Sequence, residues 1–103
     1  MISVENHIPV KEEFRQAFEA RFASGTRHVH DSPGFIRNEV LRPIKGDAYI
    51  VRTYWDSMES FERWTRSEAF TLAHSSTPPA EMFAGKSHLT IHEVFASTPA
   101  PSP

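Results

Sequence analysis

Apolar side chains fall on the even positions Ile2, Val4 and Ile8, the period-two pattern of a strand with one buried face. Asn6 shares that face. Pro9 and Val10 break the strand and lead into KEEFRQAFEARFASG, where Phe14, Ala17, Phe18 and Phe22 recur at helical spacing and Gly25 supplies a stop. A loop carrying His28, His30 and Asp31 follows, and the Ser32-Pro33-Gly34 turn opens the strand FIRNEVLRP, which ends at Pro43. Lys45, Gly46 and Asp47 make a hairpin turn into AYIVRTYW, rich in β-branched and aromatic residues, so these two strands are expected to pair antiparallel.

Asp56 or Ser57 caps the next helix, with Glu59 three residues after Asp56 and with Phe61 and Trp64 on one side. A break is expected near Arg66. Ser67 caps a second short helix carrying Phe70, Ala73 and His74, which the Ser-Ser-Thr-Pro-Pro stretch from Ser75 terminates. A loop from Ala80 to Ser87 leads to the last strand, HLTIHEVFA, and STPAPSP has the composition of a disordered end. The expected organisation is one domain over residues 1–96 and a Pro-rich tail over 97–103. The order strand, helix, strand, strand, helix, strand is that of a ferredoxin-like α+β sandwich: a four-stranded antiparallel sheet with helices on one face. The other face is expected to be exposed and apolar, and to be covered by a second copy, sheet against sheet, in a dimeric barrel.

Composition narrows the chemistry. The chain of 103 residues has no room for a second catalytic domain, and its lack of cysteine excludes disulfides, iron–sulfur clusters, thiolate haem ligation and a cysteine nucleophile. A net charge of -2 with dispersed Lys and Arg gives no footprint for nucleic acid or an anionic membrane. No signal-peptide pattern and no apolar run of membrane-spanning length are seen, so a cytoplasmic location is expected. Eight Phe, two Trp and two Tyr are many for a small domain; most of the Phe read as core, and aromatics can also line a pocket for a flat ligand. Five of the six histidines, His7, His28, His30, His88 and His92, follow no standard zinc spacing.

One long segment carries a resemblance. SPGFIRNEVLRPIKGDAYIVRTYWDSMESFERWTRSEAFTLAH, with its SPGF turn, LRPIKG hairpin, YWDS strand end and FERW…AFTLAH helices, resembles the haem-degrading monooxygenases of the IsdG and MhuD type, within the antibiotic biosynthesis monooxygenase (ABM) superfamily of dimeric α+β barrels. The similarity runs from about residue 2 to residue 96. More specific than the turns is a triplet: an Asn near the end of the first strand, a Trp in the helix after the third, and a His ten residues beyond. Here these are Asn6, Trp64 and His74.

The resemblance implies that haem is both cofactor and substrate, that O2 and external electrons open the ring, and that iron is released. His74 would be the axial iron ligand, its second N–H given to a carbonyl or carboxylate. Phe70, one turn earlier, would lie against the porphyrin. Trp64 would press the macrocycle out of plane, and the Asn6 amide would hydrogen-bond activated oxygen and orient it toward a meso carbon. Taken singly, His74 also reads as a helix-end residue, Trp64 as core and Asn6 as a structural hydrogen-bonder. Arg21, Arg27 and Lys45 are available for haem propionates without a choice among them. With no Gly-rich nucleotide loop, electrons would come from a reductase or small reductant. Two rivals remain: a cofactor-independent ABM oxygenase of aromatic polyphenols or quinones, and a non-catalytic haem carrier.

Overall fold

The computed structural model describes residues 1–24, 29–74 and 78–101. Four strands, β1 (Ile2–Pro9), β2 (Phe35–Leu41), β3 (Ala48–Trp55) and β4 (His88–Glu93), form one antiparallel sheet in the order β2-β3-β1-β4. Helix α1 (Arg15–Ser24) lies between β1 and β2 in sequence, and α2 (Met58–Thr65) and α3 (Glu68–Ala73) lie between β3 and β4. This is the expected ferredoxin-like α+β arrangement.

Register decides which side chains meet the helices. Ile2 pairs with Trp55, Val4 with Thr53, Asn6 with Val51 and Ile8 with Tyr49, so these eight share one face. The core on that face is split. At one end Ile2, Val4, Val29 and Trp55 pack with Phe35, Phe61 and Trp64; at the other, Val10, Phe18, Tyr49 and Met82 pack with Ile8, Phe14, Phe22, Val40 and Phe83. Asn6, Val51 and Thr53 lie between the two clusters and belong to neither.

Several boundaries differ from the sequence pattern. The first helical stretch begins as a 3-10 turn at Glu12–Phe14 before α1 starts at Arg15, and Gly25 and His28 lie outside the described residues. Strand β2 stops at Leu41, two residues before Pro43, because residues 42 and 43 leave the ladder. Short 3-10 turns also occupy Val29–Asp31 and Ala80–Met82.

The second sheet face corrects the expectation of an apolar surface. Odd positions of β1 place Ser3, Glu5 and His7 there, joined by Arg37 and Glu39 of β2, Arg52 and Tyr54 of β3, and His88, Thr90 and His92 of β4; only Leu41 and Ile50 beside His7 are large and aliphatic. Alternation does give a second face, but its residues in this chain are polar. Several of them are joined across the strands, although the buried Arg52 Nε makes an ion-pair contact without a hydrogen bond among the described residues. The Glu5 carboxylate accepts hydrogen bonds from Ser3 Oγ, from Thr90 Oγ1 at 2.8 Å and from His92 Nδ1 at 2.7 Å, with Arg52 Nε 3.8 Å away. The Thr90 proton goes to Glu5, so His7 Nε2 donates to Thr90 Oγ1 at 2.9 Å, and the His7 ring stacks on His88 with centroids 4.4 Å apart. Burial pushes the Glu5 carboxyl up, but the hydrogen bonds from Ser3, His92 and Thr90 outweigh it and leave the pKa below its usual value.

Two polar ties fix the helices to the sheet. Arg42 donates from Nε and Nη2 to both oxygens of Glu19 on α1, and the buried Tyr49 hydroxyl donates to Glu19 Oε2. At the start of α2, Asp56 N–H donates to Gly34 O at 2.9 Å, Ser60 Oγ donates to Asp56 Oδ1 at 2.6 Å, and Gly34 sits at φ 85° directly against them. A Cβ at Gly34 would collide with Ser60 Oγ, Ser60 Cβ and Asp56 Oδ1.

Gly34→Ala therefore combines a left-handed backbone with overpacking, and we expect a loss of roughly 2–4 kcal/mol in urea unfolding. A loss below about 0.5 kcal/mol, the usual range of a neutral surface change, would contradict this packing. The hydrogen bonds of Arg42 and Tyr49 lower the Glu19 pKa from 4.5 to about 2. A carboxylate lowered on folding stabilises above its unfolded pKa, and that contribution is lost as pH falls through the folded value. Between pH 4.5 and about 2 the urea midpoint should accordingly fall more steeply for the native chain than for Glu19→Gln. Parallel curves would show that the tie does not form.

Candidate functional site

The site is built where α2 passes into α3. Of the two cap candidates for α2, Asp56 and Ser57, it is Ser57 that accepts from Ser60 N–H at 3.2 Å, and the expected Ser67 cap holds the break. Ser67 Oγ donates to Trp64 O at 2.6 Å and accepts from Phe70 N–H at 3.2 Å, so a single hydroxyl links the end of one helix to the start of the next. That link brings Trp64 against the residues of α3.

His74 sits just past the last helical residue, at the C-cap. Its backbone N–H donates to Phe70 O at 3.1 Å, and its Nδ1 lies 2.9 Å from the same carbonyl. A carbonyl only accepts, so Nδ1 carries a proton, and in the neutral form of the ring the lone pair lies on Nε2, for which no hydrogen-bond partner is found among the described residues. The helix-end reading and the ligand reading of His74 are thus compatible: the cap selects the tautomer that a metal requires. The side chain is exposed.

Rings pack in a continuous column. Phe70 and His74 centroids are 4.1 Å apart and tilted by 30°; Trp64 meets Phe70 edge-on at 4.8 Å and His74 at 6.0 Å; beneath Trp64, Trp55 lies 5.6 Å away. Trp55 is wholly buried, with Phe35 and Phe61 edge-on against it at 5.5 and 5.9 Å, and its indole N–H donates to Thr53 Oγ1 at 2.9 Å. The Trp64 Nε1 is buried without a hydrogen-bond partner.

Trp64, Phe70 and His74 therefore stand together as expected. Asn6 does not touch them. It lies half-buried on the same sheet face, one same-face position beyond Val4, and among the described residues no hydrogen bond to its carboxamide is found. Of the basic residues considered for propionates, Arg27 lies outside the described residues, Lys45 is exposed in the hairpin turn and Arg21 is half-buried on α1. Among the described residues no group of three His, Asp or Glu side chains is placed to hold a bare metal ion. The sequence pattern treats Trp55 only as a strand end and passes over Thr53. Their signal was the i, i+2 spacing, which puts a hydroxyl and an indole on the same side of one strand.

The donor set suits haem: an imidazole whose Nε2 and a sheet amide, that of Asn6, have no hydrogen-bond partner among the described residues, and a flat apolar wall of Trp64 and Phe70 beside the imidazole.

Relatives bear on this arrangement. Residues 1–76 match the family model described as antibiotic biosynthesis monooxygenase. The chain is 40% identical over 65 residues to the mycobilin-producing haem oxygenase of Mycobacterium tuberculosis, covering 60% of this chain and 62% of that protein's length. It is 34% identical over 79 residues to the staphylobilin-producing haem oxygenase of Staphylococcus haemolyticus, covering 74% and 75%. Among solved structures, the haem degrader MhuD of Mycobacterium tuberculosis with two haems in its active site superposes with a TM-score of 0.79 at 32% identity, over 96% of this chain and all of that one.

Because Ser67 both caps α3 and holds the Trp64 carbonyl, Ser67→Ala should cost about 1 kcal/mol in thermal unfolding and Ser67→Thr much less. Equal stability of Ser67→Ala and the native chain would mean that the break between the helices is held by other contacts.

Proposed function

The chain belongs to the antibiotic biosynthesis monooxygenase family, and from that premise we propose that it is a haem-degrading monooxygenase, opening the porphyrin with O2 and external electrons and releasing the iron. The observation that carries the reading is the orientation of His74: Nδ1–H is held by Phe70 O beside the Trp64 and Phe70 rings, and among the described residues Nε2 has no hydrogen-bond partner. The identity to proteins named haem oxygenases and the superposition on a haem-bound degrader support it.

When bound, haem supplies the iron that activates oxygen and is itself the ring that is opened. His74 Nε2 would hold that iron, with the imidazole plane fixed by the Phe70 carbonyl. The Phe70 and Trp64 rings would supply the apolar wall against which the flat group rests, and Trp64 would bias its shape, one of the levers a protein has on haem reactivity. Asn6, whose carboxamide has no hydrogen-bond partner among the described residues, would offer an amide N–H to the oxygen substrate and orient it. The domain comprises residues 1–96, with the Pro-rich remainder outside it.

No helix among the described residues is long and apolar enough to cross a membrane. The reading takes the enzyme to be cytoplasmic and to draw its electrons from a reductase or a small reductant. The open sheet face is taken to meet a second copy. Arg37 and Arg52 balance Glu5 and Glu39 there, so two copies can face each other with arginines opposite carboxylates.

Titration with haemin should give a saturable Soret shift, and adding ascorbate in air with catalase present should make the band decay while a chelator traps iron. His74→Ala should lose the imidazole-ligated spectrum. Asn6→Ala should bind haem but degrade it on the order of tenfold more slowly or worse, given what a single positioned donor contributes. Absence of a Soret shift would refute the proposal, and a stable band under reductant would indicate a carrier. Normal turnover by Asn6→Ala would remove Asn6 from the chemistry.

A further inference from the structure

Among the described residues no hydrogen bond sets the angle of the Trp64 indole, since Nε1 is buried without a partner there. Its backbone is clamped by Ser67, but the ring is held only by its neighbours. On one side these are Phe70 and His74, at the end of a short helix and partly or wholly open to solvent. On the other side is Trp55, with no exposed surface, wedged by Phe35 and Phe61 and anchored through its N–H to Thr53 Oγ1. Of the groups in ring contact with Trp64, Trp55 is the one fixed both by packing and by a directed bond.

Thr53 is well placed to be that anchor. It stands two residues before Trp55 on the same face of a central strand, and its pairing with Val4 of β1 and Asn38 of β2 holds its backbone on both sides. Threonine is stiff at χ1, so its hydroxyl presents a defined acceptor. An indole that donates to such an acceptor loses the freedom to turn over within its pocket.

Resting on the haem-degrading reading above, we propose that Thr53 and Trp55 are positioning residues: the Thr53–Trp55 hydrogen bond fixes the Trp55 plane, and the 5.6 Å, 33° contact passes that plane on to Trp64. The tilt of Trp64 then sets how haem is distorted, and with it which meso position opens and how fast. Neither residue touches the reacting atoms.

The test uses the fact that Trp55 and Trp64 are the chain's two tryptophans. Two indoles 5.6 Å apart are expected to couple in the tryptophan region of the near-ultraviolet circular dichroism spectrum, a signal that is read without haem. Thr53→Val keeps the shape of the side chain and removes the acceptor; Thr53→Ser keeps the acceptor. The proposal expects Thr53→Val to change the tryptophan bands and, with haem affinity within about twofold, to slow ascorbate-driven haem loss at least about fivefold, well inside the hundredfold that an ångström-scale misplacement can cost. The distribution of opened isomers, separated by chromatography, should also shift, and Thr53→Ser should restore all three.

A Soret shift in the native chain with unaltered tryptophan bands in Thr53→Val overturns this inference alone, as does an altered band with unchanged rate and isomers. No Soret shift in the native chain overturns the haem reading and this inference together. Should Thr53→Val fail to fold, Trp55→Phe at full haem occupancy serves instead, with a shifted isomer distribution expected and an unchanged one overturning the proposal.

Discussion

The burial of Trp55 is the constraint on which the candidate site depends. It is fully enclosed where β3 ends, and the residues that enclose it come from four elements: Ile2 and Val4 of β1, Phe35 of β2, Phe61 and Trp64 of α2, and Val29 of the turn before β2. Truncating such a side chain costs on the order of 3–5 kcal/mol, whereas a single aromatic pair contributes about 0.5–1.5 kcal/mol beyond its area. Area therefore decides that the cluster forms, and the weaker directional terms decide how its rings lie. The Trp55 N–H is one such term, because a buried indole N–H without an acceptor costs on the order of 1–3 kcal/mol. Trp64, whose N–H has no acceptor, bears a cost of that kind at the site.

From this anchored end the remaining geometry follows in sequence. Trp64 is carried on α2, Ser67 turns the chain into α3, and Phe70 presents both its ring and its carbonyl to His74. One carbonyl thereby sets the imidazole tautomer. The core is divided into two clusters, and Asn6, Val51 and Thr53 occupy the strip between them, so the amide assigned to oxygen chemistry is not consumed by packing.

Much of this was legible in the sequence, for identifiable reasons. Period-two patterning marked the first strand and the face of Asn6, turn residues and β-branched runs marked the second and third strands, Asp56 or Ser57 and then Ser67 marked the two helix starts, and the resemblance to the haem-degrading family singled out Trp64 and His74 together. What stayed hidden depended on partners distant in sequence. Strand alternation predicts a second sheet face but not its chemistry: its polarity arises from Glu5, Arg52, Thr90 and His92 meeting across three strands, and the pattern within any one strand does not show which of them pair. Trp55 read as a strand end because nothing local distinguishes a tryptophan that supports a site from one that fills a core. Its relation to Trp64 emerges only from the β1–β3 register and the helix laid over it.

The account stands or falls on whether the ring column and His74 Nε2 serve to open haem with oxygen. Mass spectrometry of the pigment extracted after reduction of the haem-loaded chain under isotopically heavy dioxygen, with catalase present, tests this directly. The expected result is a linear tetrapyrrole carrying the heavy label, formed by the native chain and absent for His74→Ala. Recovery of intact haem from the native chain, or of the same labelled pigment in equal yield from His74→Ala, would contradict it.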